Sequence, residues 1–448
     1  MTLSLNAERL RELMNQCDDF QIGGKLLSVG STLHAGLIAA IGEVCEVRCA
    51  DPAGSGETPV LGEVIHCANQ QSQIMTFSET QGLRPGMNVV SIGRSLRIPV
   101  GEGLLGRVIN GLGSPIDNAG PLTNCRRVSI EARTPSTMER QPVQVPLVTG
   151  QRVIDGLLTI GRGQRVGLFA GSGVGKSTLM GEIARRAEAD INVIVLVGER
   201  GREVRPFIED CLGPEGLRRS VIVVATSNES PLMRIQAVRT GVGIAAEFRR
   251  RGGNVLFFLD SITRVAHAQR DLGLAAGEPP GTRGYPPSVR DLLARTLEQL
   301  GNDHTGSITG IITVLVDGDD LDEPISDAAR SILDGHIVLD RKIAARGHFP
   351  AVDVLNSVSR LFDEVTSPEQ QEAAGRVRQH LSTVEDVREL IQTGLYQQGA
   401  AADVDEALVR MPGIEGFLRQ TRGEYSDWTS TISQMNQIAP LSTAGATP

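Results

Sequence analysis

The sequence of 448 residues predicts an α/β fold, with a parallel central sheet preceded by a small β-domain and followed by a helical region. Two patterns carry that prediction. From about 96 to 365, near-continuous apolar runs ("QRVGLFA", "NVIVLVGE", "SVIVVATS", "NVLFFLDS", "SITGIITVLV") alternate with helical stretches such as "PLMRIQAVRTGVGIAAEFRRR". Strands that are apolar on both sides belong to parallel sheets covered by helices on both faces. On either side of that zone the apolar spacing changes, to short broken runs before it and to a polar, helix-prone pattern after it.

Taken in order, residues 1–19 open with "MTLSLNAERLRELMNQ", a short amphipathic helical segment without the apolar core of a signal peptide. Residues 20–95 hold "GLIAAIGEVCEVRC", "PVLGEVIHC" and "MNVVSIG", punctuated by glycine and proline, which suit a small β-barrel or sandwich. Residues 96–365 form the sheet domain. Residues 366–448 turn polar in "STVEDVRELIQTGLY" and "DVDEALVRM" and end in a frayed tail, "PLSTAGATP".

Composition bounds the function. With 40% hydrophobic and 22% charged residues, the chain is globular and long enough for about three domains, each with its own core. A formal net charge of -9 disfavours a surface that grips polyanions, so no nucleic acid partner is expected. Cys17, Cys45, Cys49, Cys67, Cys125 and Cys211 make no CxxC pair or Cys/His cluster. They read as idle thiols of a reducing compartment, which places the chain in the cytoplasm, with any membrane role arising through partners.

The stretch "GLFAGSGVGKSTLM", residues 167–180, runs strand, glycine-rich turn, helix, the order a phosphate cradle needs. Gly171, Ser172, Gly173, Val174, Gly175, Lys176, Ser177 and Thr178 form the candidate binding stretch. Backbone N–H groups of the turn and of the helix N-terminus would face the β-phosphate, Lys176 would reach the β- and γ-phosphates, and Ser177 would bind magnesium. Ala170 stands where the GxxxxGK[ST] pattern has its first glycine; at a strand end its methyl fits if φ stays negative.

Two acids complete the chemistry. Asp260 closes "NVLFFLDS", where a carboxylate would emerge beside the phosphates and hold the metal through water. Glu199 follows "NVIVLVG", placed to polarise an attacking water. Read singly, Asp260 could be a solvated strand-end acid and Glu199 a helix cap or a partner of Arg200 and Arg202. Three strand-end signals in one sheet favour the catalytic reading.

"FAGSGVGKS", "GERGREV", "GEPPGTRGYPPSV", "ILDGHIVLDR" and "GHFPAVDVLNSVSR" resemble the flagellar and type III secretion ATPases, relatives of the rotary ATP synthase catalytic subunit. The resemblance covers roughly residues 20 to 365. It implies an N-terminal β-barrel, a RecA-like P-loop NTPase core and a C-terminal helical domain, assembled as a homo-oligomer, a hexameric ring. It implies ATP and Mg2+ as ligands, and it makes Arg360 an arginine finger on a neighbour's γ-phosphate. It also makes Phe349 an adenine platform where relatives often carry tyrosine, and phenylalanine keeps the stacking face without the hydroxyl.

The implied work is ATP hydrolysis that energises protein export. The implied partners are a central coiled-coil stalk, a regulator at the N-terminal region, export chaperones and substrates, and a membrane export gate to which the ring is peripheral. Residues 277–289, around Tyr285, would face the ring's pore. Glu199 and Arg360 lie on one chain, whereas in the ATP synthases they sit on alternating subunits, so a self-sufficient homo-oligomer follows. The alternatives are a catalytic subunit of a rotary ATP synthase, a hexameric RNA translocase, and a non-catalytic ring subunit. The last should lack the water-orienting acid that Glu199 supplies.

Overall fold

The computed structural model describes residues 22–49, 58–130, 134–316 and 323–440; the expected N-terminal helical segment and almost all of the tail lie outside the described residues. Strands β1 (Gly23–Val29), β2 (Leu33–Ala35), β3 (Val44–Cys49), β4 (Thr58–Ala68), β5 (Gln71–Thr76) and β6 (Asn88–Ser91) close a barrel in the order β1-β2-β5-β4-β3-β6. Pairing of β6 with both β1 and β3 completes the ring, which decides for a barrel over a sandwich. Leu26, Leu33, Val47, Val64, Ile74 and Val89 fill it. The β4–β5 turn is two residues, Asn69 and Gln70, both at positive φ (51° and 62°), the geometry whose twist matches a hairpin.

The central sheet contains β7 (Val108–Asn110), β8 (Arg165–Ala170), β9 (Ile191–Val197), β10 (Ser220–Ala225), β11 (Asn254–Asp260), β12 (Ser307–Leu315), β13 (Gly335–Leu339) and β14 (Val352–Ser359). Their order is β14-β13-β8-β12-β11-β9-β10-β7. Every neighbouring pair from β7 to β13 is parallel, and β14 runs antiparallel on β13. Burial on both faces explains the unbroken apolar runs. Val193, Val195 and Val197 of β9 enter one core while Ile194 and Leu196 enter the other. The helix Pro231–Arg250 covers the first face and Lys176–Arg186 the second. Ser230 caps the former by accepting from Met233 N at 3.1 Å, and its hydroxyl donates to Phe77 O at 3.0 Å, fastening the barrel side to the sheet.

The C-terminal region is helical, as Pro368–Asp386, Arg388–Gln392, Ala402–Leu418 and Trp428–Ile438. It does not build a separate core. Ala373, Ala374, Val377, Ile414, Phe417 and Met435 are buried in the same cluster as Ile154, Leu157 and the second sheet face. The small side chains of Ala373 and Ala374 leave room for close packing, and the apolar stripe of these helices is completed only by the sheet domain.

Candidate active site

All the strand-end residues singled out in the sequence emerge at the carboxyl edge of the parallel sheet, the edge where α/β folds place ligands. Ala170 ends β8 in extended pairing with Leu315 and Leu339, and its methyl is buried, so the departure from glycine is accommodated. The turn that follows needs its glycines for backbone reasons: Gly173 and Gly175 take φ of 80° and 91°, and Gly175 caps the helix that begins at Lys176. That leaves the first N–H groups of an eleven-residue helix at the mouth of the loop, a ready anion site.

Lys176 Nζ lies 2.5 Å from Asp260 Oδ1 and 3.9 Å from Glu199 Oε1, so the structure brings the lysine and both acids together. Thr313 Oγ1 donates to Asp260 Oδ1 at 2.7 Å and fixes the carboxylate in a site where Asp260 is only 4% exposed. Glu199 is presented by a turn at Gly198, whose φ is 69°. Burial, and after it the charge of Asp260, push the Glu199 carboxyl above its usual range, while Lys176 and Arg264 pull it down. Lys176 is held between two largely buried acids, a cluster whose negative charge suits a divalent metal brought in with phosphates. Ser177 stands one residue further along the same helix and is exposed at the loop mouth.

Phe349 sits beside the loop. Its ring carbons lie 3.5 Å from the point that a Cβ on Gly175 would occupy, and it is 44% exposed rather than packed into the core. A cavity of about 420 Å³ opens there, bordered by Gly175, Thr178, Phe349, Gln420 and Thr421. Arg360 lies elsewhere. Its amide donates to Asp334 O at 3.0 Å and its guanidinium to Arg330 O at 2.9 Å, while the Asp334 amide bonds Arg165 O, at the start of β8. The phosphate loop leaves the other end of that strand, five residues on, about 16 Å away at ~3.3 Å per residue. The Tyr285 ring stacks on His267 at 6.2 Å and carries the Arg270 guanidinium at 5.6 Å, and the exposed run of the loop is residues 279–283.

Several residues of the site escape sequence reasoning. Thr313 left one signal, a hydroxyl inside the apolar run of a central strand, where a buried polar group needs a partner. Arg264, Gln420 and Thr421 left none, because only the tertiary fold brings the first to Glu199 and the other two to the loop.

Comparison with known proteins adds the family. The nucleotide-binding domain of the ATP synthase alpha/beta family matches residues 150–359, the β-barrel domain of that family matches 20–93, and the T3SS EscN ATPase C-terminal domain matches 366–437. The flagellum-specific ATP synthase of Bacillus subtilis (strain 168) is 46% identical over 436 residues, 97% of this chain and 99% of its own. The chain belongs to the flagellar and type III secretion ATPases. The type 3 secretion system ATPase of Xanthomonas euvesicatoria is 46% identical over 417 residues, 93% of each chain. The assembled ATPase EscN of the enteropathogenic E. coli type III secretion system superposes with a TM-score of 0.87 at 40% identity, over 93% of this chain and all of that one. With membership come the reaction, ATP hydrolysis, and the magnesium that such ATPases use. Rotary ATP synthase subunits are a distant relation of this ATPase, and the alternative of a synthase subunit falls away. Among the described residues of the ATPase, no helix is long and apolar enough to cross a membrane.

Proposed function

We propose that the ATPase works as a homo-oligomeric, six-membered ring that energises protein export through a flagellar or injectisome-type apparatus, with each hydrolytic site shared by two subunits. The observation that carries this reading is the position of Arg360, at the opposite end of the sheet from the Lys176 of its own chain. An arginine so placed is out of reach of its own chain's phosphate loop, which favours action on a neighbour's nucleotide. The relative EscN has been solved both assembled and in complex with its central stalk EscO, which supports a ring and a stalk partner here.

In the proposed site, the turn Gly171 to Gly175 and the helix N-terminus bind phosphate oxygens, Lys176 leaves Asp260 for the β- and γ-phosphates, and Thr178 borders the nucleotide. Ser177, and Asp260 through water, would hold magnesium, which would supply neutralisation of phosphate charge. Glu199 orients the attacking water and takes its proton; its raised pKa makes it a better base. Phe349 stacks on the adenine, and a neighbour's Arg360 stabilises charge on the transferred group. The proposed partners are the stalk, a regulator at the N-terminal region, export chaperones and substrates. The ring would lie in the cytoplasm, peripheral to the membrane export gate.

The test is recovery of the tagged ATPase from its own cells under mild crosslinking. Export-apparatus proteins should be recovered with it. Recovery of ATP synthase subunits or RNA-processing proteins in their place would overturn the proposal. Crosslinking from Arg283, at the exposed loop tip, should capture the stalk or an export substrate.

A further inference from the structure

We infer that Gln420 is a positioning residue for the nucleotide base, holding Phe349 and the Thr149–Arg152 turn in register around the cavity beside the phosphate loop. The inference rests on the reading of Phe349 as the base platform. Gln420 is only 5% exposed, and its bonds reach segments far apart in sequence. Its amide N–H donates to Phe349 O at 2.8 Å. Its side-chain carbonyl accepts from Arg152 N at 2.9 Å, and its side-chain amide donates to Gly150 O at 2.8 Å and Glu424 O at 2.9 Å. Both side-chain amide hydrogens and the carbonyl are thus spent on backbone, so this side chain holds the wall and does not itself read the base.

The surrounding bonds extend the same brace. The Arg152 guanidinium donates to Phe417 O at 3.0 Å and to Arg419 O at 2.5 Å and pairs with Glu424, so it closes the C-terminal end of the Ala402–Leu418 helix. Glu424 in turn accepts from Thr421 N at 2.9 Å and Thr421 Oγ1 at 3.0 Å, and Thr421 borders the cavity. On the other side, Asp155 accepts from Thr149 N and Gly150 N, both at 2.9 Å. The wall is held by hydrogen bonds more than by packing, since the Phe349 ring itself is 44% exposed. The pose of that ring therefore depends on its backbone anchor, the Gln420 N–H, and the Gln420 side chain holds that N–H in place through its bonds to Gly150, Arg152 and Glu424.

The probe that separates base from phosphates is inorganic tripolyphosphate, which can occupy the loop but offers nothing to Phe349. In Gln420→Met, which keeps side-chain volume but loses its polar atoms, KM for MgATP should rise about tenfold, with kcat held within about twofold. Competitive inhibition by magnesium tripolyphosphate should stay within about twofold of wild type. Glu424→Gln removes the charge and turns one acceptor oxygen into a donor, loosening its bonds to Arg152 or Thr421 on a partly exposed residue, so it should fold even if Gln420→Met does not, and should weaken MgATP several-fold, again sparing tripolyphosphate. Wild-type KM in both variants would overturn the inference, and so would equal losses for MgATP and tripolyphosphate, which would mark a general collapse of the loop. Phe349→Leu separates the two readings. If it weakens MgATP alone while the Gln420 and Glu424 variants do not, the base platform stands and the brace falls; if Phe349→Leu changes nothing, the platform reading falls.

Discussion

Lys176 and Asp260 form an ion pair of 2.5 Å at the carboxyl edge of the sheet, with side chains 12% and 5% exposed. Removing the cation leaves Asp260 and Glu199 facing each other with little solvent between them. Breaking a buried pair by deleting one partner typically costs about 3–5 kcal/mol, and the partial exposure of Lys176 puts it at the lower end. Lys176→Ala should therefore lower the unfolding midpoint of the nucleotide-free protein and sharply weaken MgATP binding, measured by thermal scan and by titration. Wild-type stability and affinity together would contradict the role of the pair.

Glu199→Gln keeps shape and removes the base. Turnover should fall by about 10² to 10⁴, the usual worth of general-base catalysis, while MgATP affinity changes little. Steady-state rates and a binding isotherm on the same preparation decide the matter. Unchanged turnover would remove Glu199 from the mechanism.

The raised pKa of Glu199 sets the sign of the pH dependence. The base must be deprotonated, so activity is present above its pKa and lost as pH falls through it. The acid limb of kcat/KM should lie above the ordinary glutamate value of about 4.3. Asp260→Asn removes a neighbouring negative charge, so its residual activity should show that limb moved to lower pH. A limb that moves upward, or stays, would show that Asp260 does not raise the Glu199 pKa.

Arg360→Ala should fold, bind MgATP and be slower by about 10³ to 10⁵, the range for arginine fingers. Mixed with Lys176→Ala subunits it should regain part of its activity, because some interfaces pair an intact loop with an intact arginine. Native mass spectrometry of isotopically marked subunits verifies that mixed assemblies form. Mixed assemblies as inactive as either parent would count against a site shared between chains.

Asp155 gives a prediction on stability. It is fully buried, and burial pushes its carboxyl up to about 7 against three hydrogen bonds donated by Thr149 and Gly150. The native state then binds a proton that the unfolded chain, at its ordinary value of about 3.9, has released. Between those values stability should fall as pH rises, by at most about 1.4 kcal/mol per pH unit. Urea unfolding from pH 5 to pH 8, compared with Asp155→Asn, reads this slope directly. Parallel slopes in the two proteins would refute it.

What the sequence made legible followed from local pattern. The strands of the sheet announced themselves because both faces are buried, so successive residues such as Val195 and Leu196, on opposite faces, are apolar alike. The phosphate loop was legible because its glycines, lysine and hydroxyls are contiguous. Glu199 and Asp260 were legible as acids at the ends of apolar runs. The brace at Gln420 was not, because its partners Gly150 and Phe349 lie far from it in the chain and "FLRQTRGEY" has no compositional mark. Nor was the sharing of one core by the helical end and the sheet, since an amphipathic helix shows that it has an apolar face but not what covers it. The contact of Tyr285 with His267 was equally illegible: proline and glycine mark an irregular backbone, but not which neighbour an aromatic in such a loop packs against.

The distance from Arg360 to the loop of its own chain has a consequence for cellular economy. If each site is shared between two subunits as proposed, a dispersed subunit lacks one of the charges its chemistry requires, and idle copies would hydrolyse almost nothing, however much ATP surrounds them. Turnover per chain then rises steeply with concentration at dilution and levels off once assembly is complete. Fuel consumption would thereby be metered by construction of the machine, with no separate inhibitor needed to keep the loose parts quiet.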